Sequence, residues 1–153
     1  MYSAGNILYF NPFYFKNGNN SKPKCFIVLF NNQTNTILAS LPTSKDSVPT
    51  FIELKHGCIN LENINFNCYY FEANKKITTN NWAFERPTFV YGAQVESYEL
   101  SILIEDYQIK NIDYKIIGSL KKDEFKNLIE CFISSSSLKR KFKPLLKTQL
   151  QGF

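Results

Sequence analysis

Two cations and two hydroxyls stand where one hairpin would gather them. Lys22 and Lys24 lead into the apolar run 25–30, and Thr43, Ser44 and Lys45 follow the run 36–41. An ammonium beside a hydroxyl can hold a phosphate oxygen, the first by charge and the second by hydrogen bonding. Both runs are rich in β-branched and aromatic side chains and have the length of buried strands. The asparagines of 31–35 supply turn chemistry, because Asn tolerates positive φ and bonds its own backbone. Two apolar strands with a short polar loop between them read as a β-hairpin. Its outer ends lie side by side, so Lys22 and Thr43 are expected about 5 Å apart at Cβ.

The rest of the chain must position that rim. Its 153 residues predict one domain, and 44% hydrophobic with 16% aromatic residues suffices for one packed core. The net charge of +5 favours an anionic partner such as RNA. Four of the 18 basic residues, Lys139, Arg140, Lys141 and Lys143, surround Phe142. Such a run can bind phosphate, or it can simply be a solvated tail. The four cysteines form no CxxC pair, and His56 is the sole histidine, which argues against zinc. The cysteines read as reduced, small apolar residues of a cytoplasmic protein. No secretion signal and no run of membrane-spanning length is visible, so no membrane partner is expected.

Strands are predicted at 5–10, 50–55, 67–73, 88–92 and 111–118; over 95–104 Val95, Tyr98 and Ile102 could fit a helix, and the preferred reading is a strand from about 95 and another near 101–104. Gly57 should break the strand at 50–55, and 58–66 has loop character. Residues 16–22 form a polar loop that could cover the rim. The stretch 74–87 reads as loop, with Trp82 and Phe84 available to pack it down. A helix is predicted over about 119–133, with Phe125, Leu128, Ile129, Phe132 and Ile133 on one face. The domain is placed at 1–137, and 138–153 reads as a basic tail or short helix.

Several short motifs occur in the order found in one family. Gly5-Asn6-Ile7 precedes Asn11-Pro12-Phe13, then Lys22-Pro23-Lys24 enters an apolar strand. Ile37-Leu38-Ala39-Ser40-Leu41 runs into Thr43-Ser44, and Val48-Pro49-Thr50-Phe51 follows. Phe89-Val90, Gln94-Val95 and Gly118-Ser119-Leu120 complete the set. Together they resemble the PemK/MazF family of toxins over roughly 5–133. The resemblance implies a mainly β (α+β) fold, an SH3-like curved β-barrel with a C-terminal amphipathic helix. It implies a metal-independent endoribonuclease of single-stranded RNA, without a cofactor. It also implies a homodimer and an acidic antitoxin as partner. Lys22 stands where the family has the arginine thought to stabilise the transition state, and Thr43 matches its hydroxyl. Glu96 stands where the family often has a second arginine.

Metal-free cleavage uses the ribose 2′-OH to attack the adjacent phosphate. Lys22 would stabilise the growing charge, and Thr43 or Ser44 would hold a phosphate oxygen. Glu96 is the preferred base and Asp46 a second choice. His56 reads as a surface turn residue. Phe13 and Tyr91 could stack bases, with Lys24, Lys45, Gln94, Lys139, Arg140 and Lys141 as further RNA contacts. A lysine lacks the planar fork of arginine. The alternative function is therefore a non-catalytic barrel that binds RNA or a protein.

Overall fold

The computed structural model describes residues 1–15, 18, 20–41 and 53–152. Among the described residues there are eight strands: β1 (Asn6–Phe13), β2 (Lys22–Asn31), β3 (Asn35–Leu41), β4 (Gly57–Leu61), β5 (Phe66–Phe71), β6 (Thr88–Tyr91), β7 (Val95–Glu99) and β8 (Tyr114–Ser119). The same residues include three α-helices, α1 (Leu100–Asp106), α2 (Lys122–Ile133) and α3 (Lys143–Leu150). The strands form two antiparallel sheets, ordered β7-β3-β2-β1-β8 and β4-β5-β6. The protein is mainly β, as the sequence predicts. Among the described residues β7 and β8 do not pair with one another, so the larger sheet stays open and no barrel closes.

The apolar runs of β2 and β3 follow from burial on both sheet faces. Ile27, Leu29, Ile37, Ala39 and Leu41 face a core completed by Tyr69, Phe71, Val90, α2 and α3. Phe26, Val28 and Leu38 face a second core with Phe10, Phe13, Leu100, Leu103 and Tyr107. The β2–β3 hairpin forms as predicted, with Cys25 opposite Leu41 and Val28 opposite Leu38. Asn side chains do bond the turn: Asn31 Oδ1 accepts from the Gln33 N–H at 2.8 Å, and Asn32 Oδ1 from those of Thr34 and Asn35. The left-handed residue there is Gln33, at φ 74°, instead of an asparagine.

Three strand assignments need correction. Gly57 opens β4 instead of breaking a strand, and 58–61 is strand instead of loop. Residues 53–55 are not strand, and 50–52 lie outside the described residues. The segment 100–106 is helix, because Leu100, Leu103 and Tyr107 recur at helical spacing and bury together.

The predicted amphipathic helix is α2, with Phe125, Leu128, Ile129 and Phe132 buried. Asp123 and Glu124 lie in its first turn, where carboxylates suit the positive end of the helix dipole. The basic tail is a built part of the fold. Leu138, Phe142 and Leu146 are buried, and they carry the 3-10 turn Arg140–Phe142 and α3 onto the core. The 74–87 loop is held down by Trp82 and Phe84, as expected.

The cysteines also differ from expectation. Packing of α2 on β4 and β5 brings Cys58 and Cys131 to a Cα separation of 5.4 Å, and they form a disulfide. Reduced thiols remain at Cys25 and Cys68, both pushed up to about 12 by burial. The argument for a cytoplasmic protein from reduced cysteines therefore fails for one pair. No helix among the described residues is long and apolar enough to cross a membrane.

Candidate functional site

Position 22 begins β2 and pairs with Phe13, while Lys24 pairs with Phe10. Positions two apart share a strand face, so both lysines lie on the side of the second aromatic core. Lys22 is exposed and its Nζ sits 5.7 Å from the centre of the Phe15 ring. Lys24 is only 8% exposed. Burial, and after it the neighbouring Lys22 charge, lower its ammonium from the usual lysine range. Among the described residues no carboxylate forms an ion pair with either lysine. Two like charges without an opposite one repel each other, and an arriving anion relieves that repulsion.

Beside the lysines is an aromatic ladder. Phe13 stacks on Tyr107 at 5.6 Å and 8°, and Tyr107 stacks on Tyr14 at 6.0 Å and 18°. The Tyr14 N–H donates to the Tyr107 hydroxyl at 2.7 Å, fixing the chain as it leaves β1. Phe13 is 1% exposed and belongs to the core, so it offers no face to a base. The open ring is its neighbour Tyr14, 58% exposed. Sequence reasoning passed over Tyr14 and Phe15, although both stand directly before the polar loop that leads to Lys22.

The other expected site residues scatter. Thr43, Ser44, Lys45 and Asp46 lie outside the described residues. Glu96 lies opposite Leu38, which pairs with Val28, six positions along β2 from Lys22. At strand rise that separation is about 20 Å, so Glu96 is not placed to act as base beside Lys22. Its carboxylate instead pairs with the Lys139 ammonium. Lys139 and Lys141 also stand 5.9 and 5.2 Å from the centre of the Phe142 ring, and Arg140 is exposed beside them. Tyr91 is 8% exposed and packs near Phe66, while Gln94 is exposed on the turn before β7.

His56 is a clasp instead of a surface turn residue. Its Nδ1 accepts the Glu72 N–H at 3.0 Å, and its Nε2 pairs with Glu124 of α2. The Tyr69 hydroxyl donates to the same carboxylate oxygen at 3.0 Å. Both ring nitrogens are occupied, which leaves none for a substrate proton. No cluster of three or more histidines, cysteines or carboxylates suited to a metal occurs among the described residues.

Comparison with protein-family models, with curated proteins and with solved structures finds no match to this chain.

Proposed function

We propose that the chain binds single-stranded RNA at the Lys22–Lys24 rim, with Tyr14 as the stacking ring. The observation that carries this reading is the pair of lysines on one face of β2, unanswered by any carboxylate among the described residues. Cations that track phosphates and an open aromatic ring that stacks bases are the two requirements of single-strand binding. Titration of a labelled single-stranded RNA, with chelator present, tests it. Binding should weaken as salt rises and should fall in Lys22→Ala and Tyr14→Ala. Salt-insensitive binding, or none, rules it out.

Cleavage by a PemK/MazF-like, SH3-like domain is a second reading. The hairpin register favours it: Leu41 pairs with Cys25, so the chain leaves β3 at the end of β2 where Lys24 and Lys22 lie. Thr43 and Ser44 follow within three residues of that exit. In this reading Lys22 stabilises the phosphorane and an acidic antitoxin covers the rim. Lys22→Arg should then preserve or raise cleavage by restoring the bidentate fork. RNA that stays intact under parent protein, while bound, eliminates this reading and leaves the first in place.

A further inference from the structure

Four of the seven large hydrophobic side chains exposed among the described residues fall within 102–112. They are Ile102 (51%), Ile104 (54%), Ile109 (53%) and Ile112 (70%). Scattered exposed apolar residues are ordinary, but a concentration of this kind marks an interaction surface. Ile104 lies one turn from Leu100 on the same face of α1, and Ile102 lies on another side of the helix. Ile109 and Ile112 lie on the turn into β8. Asp113 Oδ2 pins that turn by accepting the Gln108 and Ile109 N–H groups, at 3.0 and 2.8 Å. A fixed turn presents its side chains without a large ordering cost on binding.

A cavity of about 730 Å³ opens beside α1, walled by Tyr2, Leu100, Ile104, Tyr107 and Tyr114, with Glu105 among its lining residues. The charge here opposes that of the whole chain. Residues 99–113 carry Glu99, Glu105, Asp106 and Asp113 against Lys110 alone, in a protein of net charge +5. Glu99, Glu105 and Asp106 are exposed. Such a surface complements a cationic apolar partner.

We propose that α1, the 107–113 turn and the cavity between them and Tyr2 dock a cationic amphipathic segment of another protein. Apolar side chains of that segment enter the cavity and cover the isoleucines, while its lysines or arginines lie against Glu99, Glu105 and Asp106. This is helix-in-groove recognition with the charges set around an apolar centre.

Fluorescence anisotropy with a labelled synthetic helical peptide of leucine and lysine tests it, using the full chain. The same peptide with glutamate in place of lysine is the control. The lysine peptide should bind, and added salt should weaken it. Ile104→Ser with Ile112→Ser, and separately Glu105→Lys with Asp106→Lys, should each weaken it by ~10-fold or more. All four side chains are exposed, so melting curves should match the parent. Absence of binding, equal affinity for the glutamate peptide, or binding indifferent to both double variants would overturn the proposal. So would sedimentation showing a parent dimer that Ile104→Ser with Ile112→Ser converts to monomer, since the occupant would then be a second copy.

Discussion

Two basic clusters of this protein each stand against an aromatic ring, and they differ in what answers their charge. Lys139 and Lys141 flank Phe142, which is 2% exposed, and Lys139 is paired with Glu96. Lys22 and Lys24 stand beside Phe15 and Tyr14, with no carboxylate pair among the described residues. In the first cluster the ring belongs to the core and the cations cover it, so the arrangement anchors α3. In the second the Tyr14 ring and Lys22 are exposed and Lys24 is buried behind Lys22, an arrangement suited to an anion. Both clusters look alike as strings of lysine and phenylalanine. Only the burial of the ring and the presence of a partner separate scaffold from site.

The largest expected effect tests the two rings directly. Phe142→Ala should lower stability by about 4 kcal/mol, the usual cost of emptying a buried aromatic site. Tyr14→Ala should change stability by no more than about 0.5 kcal/mol, because the ring is exposed. It should nevertheless weaken RNA binding by about 1–3 kcal/mol, the value of one stacked base. Urea unfolding and RNA titration of both variants measure this. A severe loss of stability in Tyr14→Ala with unchanged RNA affinity would erase the distinction.

Opening the disulfide acts on one side of the comparison only. Cys58 and Cys131 are 73 residues apart and tie β4 to α2, which carries α3 and the Lys139 cluster. Reduction should cost about 4 kcal/mol, mainly by freeing the unfolded chain. The rim is built from β1, β2 and the Tyr107 contact, none of which the bridge touches. Thermal melts with and without reductant should therefore differ, while RNA affinity measured well below the transition should not.

Removing single charges gives a smaller effect. Lys22→Ala should weaken RNA binding about tenfold and reduce the salt slope by about 0.7, the share of one single-strand phosphate contact. Lys139→Ala should do much less, since it removes a surface pair worth about 0–1 kcal/mol. Equal losses in both variants would mean that RNA tracks both clusters.

The sequence carried the hairpin and β6 because their apolar runs have strand length, and α2 because its apolar residues recur at helical spacing. It misplaced α1, where isoleucines favour a strand locally but Leu100 and Leu103 bury as a helix. It missed the disulfide because 73 residues of spacing carry no local signal. The rim lysines were legible from their position at a strand start. Glu96 was chosen by motif order, and strand register then set it far from Lys22. Phe13 and Tyr14 are adjacent aromatics, and nothing in composition tells which one turns inward.

The smallest effect concerns Lys24, where scaffold and site pull in opposite directions. Burial, followed by the Lys22 charge, lowers its pKa, so the unfolded chain holds this proton more tightly than the folded protein does. Linkage then fixes the sign. The penalty is complete at neutral pH, below the folded value. Stability gains as pH rises through the interval from that value to the unfolded lysine value of about 10.4, and above it the penalty is gone. Lys24→Met keeps the stem that packs beside Phe10 and removes the charge. It should raise stability at pH 7 and flatten the alkaline rise, while weakening RNA binding. Lys139→Met instead removes an exposed ammonium together with its pairing to Glu96, so stability should stay level or fall. Urea unfolding at pH 7 and near pH 10 decides the matter. A Lys24→Met variant that is less stable than the parent at pH 7 would show that Lys24 has an anionic partner, and that the rim resembles the Lys139 cluster after all.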